Sequence, residues 1–153
     1  MFCRIDYFST RVGGEAGSAC QLLARLAAQR VDLIAAVSAP DGPRGVALHL
    51  FPADPVDLAK AARAERIALE GPRGAVLVQG SDHSGALAAV LSKLAAAGIE
   101  PSSAFSMRDG RGRFGCVIPL DPRSLEPALK ALRLEMPERS FEAERRMGSH
   151  VSG

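Results

Sequence analysis

Between Gln79 and Ala86 the chain reads QGSDHSGA, and here residue types able to do chemistry crowd together. Ser81, Asp82, His83 and Ser84 set two hydroxyls, a carboxylate and an imidazole side by side, bracketed by Gly80 and Gly85. Three chemistries fit. A helix beginning here would expose free N–H groups and the positive end of its dipole, which suits a small ligand's carboxylate. A Ser-His-Asp set could perform nucleophilic catalysis, although sequence neighbours rarely converge as that reaction needs. Or the stretch is a capped turn without chemistry, Asp82 or Ser84 accepting from a first-turn N–H and Gly80 supplying a positive φ at a strand end. The Lys-Ser/Thr ending of a phosphate-binding loop is missing.

The flanking residues say what positions this stretch. Ala75–Val78 is an apolar run of strand length, and Leu87, Val90, Leu91 and Leu94 form a helix stripe that stops at Gly98. The same punctuation occurs earlier. A shift of 68 residues lays 17–51 on 85–119 without a gap, matching Gly17 to Gly85, Leu23 to Leu91, Leu26 to Leu94, Asp41 to Asp109 and Gly42 to Gly110. The first copy begins with an alternating strand over 2–8 and a glycine-rich loop over 9–17. A helix bearing Ala19, Leu22, Leu23 and Leu26 follows, then a strand over 31–40. Asp41-Gly42 starts a hairpin turn into a strand over 46–51, Asp54-Pro55 opens a second helix, and 66–70 reads as a last strand. The second copy repeats this with strands over 74–79, 99–108 and 114–120, a helix opened by Asp121-Pro122, and a last strand over 133–137. The order β-α-β-β-α-β, twice, is α+β: two ferredoxin-like units packed as a tandem pair. Their expected bounds are 1–72 and 73–137, with a C-terminal tail over 138–153.

Composition excludes several classes. With 153 residues, 47% hydrophobic and a net charge of +2, the chain can bury a core and is not strongly basic. Six Phe, one Tyr and no Trp make a poor stacking platform for nucleic acid, and no helix-turn-helix is left over to read DNA, so no direct nucleic-acid binding is expected. Cys3, Cys20 and Cys116 are odd in number and unpaired in spacing, which predicts buried free thiols in a reducing compartment. His49, His83 and His150 are scattered, so neither a metal nor a cofactor is expected. No apolar stretch reaches membrane-span length and MFCRIDYF lacks signal-peptide character; a cytoplasmic protein that does not enter membranes is expected. Arg108, Arg111 and Arg113 flank a hairpin turn and read as a solvated edge.

The pattern Gly80-x-Asp82-x-x-Gly85-Ala86-Leu87 after an apolar strand resembles that of ACT domains, small regulatory modules, and the βαββαβ order agrees with that family's fold. The resemblance covers residues 1 to about 137 as a tandem pair. It implies a non-catalytic regulatory protein that binds a small amino acid and signals to a protein partner, transcriptional regulation through that partner included, since glycine-cleavage repressors share the tandem build. By position it makes Gly80, Ser81, Asp82, His83, Ser84, Gly85 and Ala86 the ligand loop, with the Gly85 and Ala86 N–H groups for a carboxylate and Asp82 for an ammonium. The first copy departs from the motif: Gly14 stands at the Asp82 position and Glu15 at that of His83. Two modules account for the length, so no catalytic domain is expected. The alternatives are an interaction module whose loop is only a cap, or an enzyme of ferredoxin-like fold. Two such units edge to edge would form an eight-stranded sheet. The few charges in 31–38 and 102–107 would leave its uncovered face apolar, which predicts a homodimer, or else a helix over 138–146 covering that face.

Overall fold

The computed structural model describes residues 1–43 and 45–133. They form six strands and four helices: β1 (Phe2–Gly13), α1 (Ser18–Ala28), β2 (Leu33–Asp41), β3 (Gly45–Pro52), α2 (Pro55–Ala64), β4 (Glu70–Ser81), α3 (Ala86–Ala96), β5 (Phe105–Arg108), β6 (Arg113–Pro119) and α4 (Pro122–Arg133). Two compact units result, one of Asp6–Arg73 and one of Met1–Ile5 with the described residues from Gly74 onward. Of the expected strand over 133–137, Arg133 is instead the last residue of α4; 134–137 and the expected helix over 138–146 lie outside the described residues.

In the unit of Asp6–Arg73 the strand order is β2-β3-β1, antiparallel, with Phe8 opposite Leu50 and Gly13 opposite Gly45. β1 continues past the expected end at residue 8, because Ser9, Thr10, Arg11 and Val12 keep their partners on β3. Phe8, Leu48 and Leu50 face Leu22 and Leu26 of α1 and Leu58 of α2 in one buried cluster. Each such side chain contributes about 1.5–3 kcal/mol of transfer energy. Asp54 caps α2 as its sequence foretold, Oδ1 accepting from the Val56 N–H at 2.8 Å with Pro55 in the first turn. Glu65 joins the two helices, accepting from Gln29 Nε2 at 2.8 Å and from Arg25 Nε at 3.0 Å.

In the other unit the order is β1-β4-β6-β5. The place beside β4 is filled by Phe2–Ile5, with the Met1 ammonium donating to the Gln79 carbonyl and the Gln79 N–H to the Met1 carbonyl, both at 2.8 Å. Phe2, Val76, Val78, Phe114, Cys116 and Ile118 pack there against Val90 and Leu94 of α3 and Leu125 and Leu132 of α4.

Four more expected strands change. The stretches 66–70 and 74–79 are not separate strands; β4 runs from Glu70 through Gly71, Pro72 and Gly74 to Ser81 as one strand. Residues 66–69 stay out of it because Arg66 sits in the left-handed region (φ 54°) and the Ile67 N–H closes α2 on the Ala62 carbonyl. For the same reason β2 and β5 start later than expected: the N–H groups of Val31 and Ile99 end α1 and α3 on Leu26 and Leu94. Pro101 then has no N–H to offer a ladder. None of the three cysteines is in a disulfide, and only Cys116 is buried; Cys20 is exposed and Cys3 intermediate. Burial pushes the Cys116 thiol up to about 11. Among the described residues no helix is long and apolar enough to cross a membrane.

Candidate functional site

The loop singled out in the sequence joins β4 to α3. Gly80 and Ser81 are still strand, paired with Phe114 and Arg113 of β6. Gly80 therefore needs no positive φ, contrary to expectation; its contribution is the missing side chain, since a Cβ there would meet nothing within 4 Å. The glycine that does need its freedom is Gly85, at φ 84°, standing as the N-cap of α3. No side chain caps this helix, so the capping role expected of Asp82 or Ser84 is not realised. The backbone does the work instead: the Ala86 N–H donates to the His83 carbonyl at 3.1 Å and the Ala89 N–H to the Gly85 carbonyl at 2.9 Å. The N–H groups of Leu87 and Ala88 take no backbone acceptor among the described residues, as a first turn dictates. Ala86 N–H, expected to face a ligand, is thus already used.

The same turn precedes α1. Gly17 has φ 90°, the Ser18 N–H reaches the Glu15 carbonyl at 3.2 Å and the Gln21 N–H the Gly17 carbonyl at 2.8 Å, each bond 68 residues before its counterpart.

Released from capping, Asp82 turns to the β5–β6 hairpin. Its N–H donates to the Gly112 carbonyl at 2.8 Å, and its Oδ2 lies 2.5 Å from Nη2 of Arg108. The Asp82 side chain is 11% exposed, that of Arg108 74%. Register explains the meeting: Arg108 is opposite Phe114, and Phe114 opposite Gly80, so the three share one row and one face. With no side chain on Gly80 the β4 end of this row is open space, two residues before Asp82. The hairpin is held by Asp109, whose Oδ1 accepts from the N–H groups of Arg111 at 2.7 Å and Arg113 at 3.0 Å. Those bonds hold its carboxyl below the usual range.

Asp82 is the centre of what comes together. Ser81, His83 and Ser84 are exposed, and the His83 ring points Nδ1 at the Ser84 carbonyl at 3.0 Å rather than at a hydroxyl. That is not the geometry of a nucleophile and its base. Among the described residues no cluster of His, Cys, Asp and Glu could hold a metal ion. The sequence missed Arg108, which it placed on a solvated edge; the signal lay only in the strand register. In the first copy the positions 68 residues earlier carry Gly14 and Pro40, so the carboxylate–guanidinium pair is not repeated. That unit has a Ser–His contact of its own, Ser9 Oγ to His49 Nδ1 at 2.8 Å, but Ser9 is buried and the contact belongs to the packing around Tyr7 and Phe51.

No family model and no curated protein matches the chain. Solved structures do. Protein BT0572 from Bacteroides thetaiotaomicron superposes with a TM-score of 0.74 at 21% identity, over 88% of this chain and 90% of that one. The ligand-free regulatory subunit of aspartate kinase from Thermus thermophilus gives 0.57 at 16%, over 89% and 97%. The fold is ACT-like. E. coli aspartokinase III in complex with lysine and aspartate gives 0.53 at 14%, over 90% of this chain and 32% of the enzyme. At such identities the likeness speaks for the fold, and function has to be argued from the site.

Proposed function

We propose that this chain is a non-catalytic regulatory protein of the cytoplasm that binds a small amino acid at Gly80–Ala86 and passes its occupancy to a protein partner. The observation that carries the reading is the Asp82–Arg108 pair beside an unoccupied row position and a helix start. A zwitterion is the complement of such a pair. Its ammonium takes the place of the guanidinium at Asp82, and its carboxylate meets Arg108 together with the free Leu87 and Ala88 N–H groups. Gly80 and Gly85 keep the approach clear, while Ser81, His83 and Ser84 form the exposed wall. Arg108 leaving Asp82 would shift the β5–β6 hairpin, an edge a partner can read. Structures of the same fold support this reading, one a regulatory subunit and one solved with lysine and aspartate.

The test is thermal unfolding of the full chain with each of the twenty amino acids. A ligand at a hundred times its dissociation constant adds about 2.7 kcal/mol; no stabilisation by any of them would leave an interaction module whose loop is only a turn.

We extend the reading to a homodimer. Phe105 and Met107, 37% and 78% exposed on the edge strand β5, supply an apolar strip that a second copy would cover. Sedimentation equilibrium at micromolar concentration distinguishes the dimer from a 16.0 kDa species.

A further inference from the structure

One space within the unit of Asp6–Arg73 lies away from the loop before α3. Residues 66–69 run free of β1 instead of pairing with it, and the gap between this segment, the end of β1 and one face of α1 is a cavity of about 440 Å³. That is within the range of small-molecule sites, roughly 300–1,000 Å³. Its floor is apolar: Val12 from β1, Leu22 from α1, Ile67 and Leu69 from the free segment.

Polar residues ring this floor, Ser18 and Gln21 of α1 among them, and Thr10 and Arg66 are the two that offer a ligand most. Thr10 shares a face with Phe8 and Val12, and the residue is only 5% exposed. Its hydroxyl has no hydrogen-bond partner among the described residues, yet its oxygen is not sealed from solvent. A hydroxyl open to the cavity in this way takes its bond from water or from a ligand that displaces it. At the rim stands Arg66, whose guanidinium has no carboxylate within 4.0 Å among the described residues. The other charges on the lining are engaged: Arg25 holds Glu65, Arg11 holds Asp41 at 2.8 Å, and Glu70 lies 3.6 Å from Arg73. Arg66 also occupies φ 54°, where glycine costs less. Arg30 does the same at φ 60° away from the cavity, so the strain alone decides nothing. It does say that position 66 has a cheaper residue for folding than the one present.

We infer that this cavity is a second small-molecule site, independent of the Asp82–Arg108 pair, for a small carboxylic acid with a short branched apolar body. The carboxylate pairs with Arg66, the body lies on Val12, Leu22, Ile67 and Leu69, and a polar substituent next to the carboxylate completes the Thr10 hydroxyl. A 2-oxo group accepts from that hydroxyl; a 2-amino group donates to it.

Calorimetry on the full chain with 4-methyl-2-oxopentanoate, L-leucine and 3-methylbutylamine tests this and separates the two forms of the acid. The amine, lacking a carboxylate, should not bind in the cavity; one or both acids should. Arg66→Gly should weaken that binding at least tenfold while raising the thermal midpoint, because the left-handed backbone is relieved. Thr10→Val, of equal shape, should weaken it severalfold with the midpoint unchanged or higher. Asp82→Ala and Arg108→Ala should leave it as it is. The inference is overturned if neither acid binds, if the amine binds as well as the acids, or if Arg66→Gly and Thr10→Val leave the affinity unchanged. Binding lost only with Asp82→Ala or Arg108→Ala would return the ligand to the other unit and refute the second site while leaving the first.

Discussion

Replacing Asp82 by Ala separates binding from folding, and the two magnitudes can be worked from the geometry. In the free protein Asp82 holds one exposed guanidinium, since Arg108 is 74% exposed. Ion pairs open to water contribute about 0–1 kcal/mol. The Asp82 N–H bond to the Gly112 carbonyl is backbone and survives the change. The cap that a sequence reading would charge to this residue, typically about 1 kcal/mol, is absent because α3 has no side-chain cap. Folding should therefore change by less than about 1 kcal/mol, read as an unshifted or slightly shifted urea midpoint. Binding is another matter. A hydrogen bond between ammonium and carboxylate is worth about 1.5–3 kcal/mol, and at 1.4 kcal/mol per factor of ten the dissociation constant rises about 10- to 150-fold. Calorimetry with the amino acid found by thermal screening measures it. An unchanged dissociation constant would remove Asp82 from the site. A loss of stability as large as the loss of binding would make it a structural residue instead.

Further outcomes follow from the same geometry. Gly85→Ala forces a Cβ onto φ 84° and should cost roughly 1–2 kcal/mol, whereas Ser84→Ala should be neutral within about 0.5 kcal/mol; chemical denaturation of both variants checks the assignment of the N-cap. Under native conditions an alkylating reagent should label Cys20 at once and Cys116 only on unfolding, which mass spectrometry of timed samples will show. The Cys116 thiol is raised from 9.0 to about 11 in the fold, so the stability it contributes is complete below about pH 9 and is lost as the pH rises through 11. Replacing Cys116 by Ala should remove that part of the alkaline decline in a pH series of unfolding midpoints.

How far the sequence could be read depended on the range of each signal. Local signals held. The apolar stripes of α1 and α3 are the buried faces, with Leu22, Leu26, Val90 and Leu94 inside. Asp54-Pro55 starts α2. Gly17 and Gly85, matched across the two copies, both adopt the left-handed conformation before a helix. Signals with two local meanings failed. Residues 66–70 and 74–79 read as two strands, yet β4 runs through Gly71, Pro72 and Gly74 as one. Val31 and Ile99 read as first residues of strands, yet their N–H groups finish the preceding helices. Asp82 and Ser84 are good capping residues, but a glycine in the cap position closed the turn with backbone bonds and left Asp82 for another partner. What depends on three-dimensional register had no local signal at all. That Phe2–Ile5 lies beside β4, and that Arg108 arrives in the same row as Gly80, follow from strand pairings between distant residues. The cavity beside Thr10 exists because 66–69 do not join the sheet their composition suggests.

The central claim is tested most directly by a crystal structure of the full chain grown with a mixture of the amino acids. The expected electron density is a zwitterion over Gly80, its ammonium within hydrogen-bond distance of Asp82 Oδ2, its carboxylate on Arg108 and the first-turn N–H groups of α3, and the Asp82–Arg108 contact opened. Density for an amino acid elsewhere, with Asp82 and Arg108 still joined and the space over Gly80 empty, would contradict it.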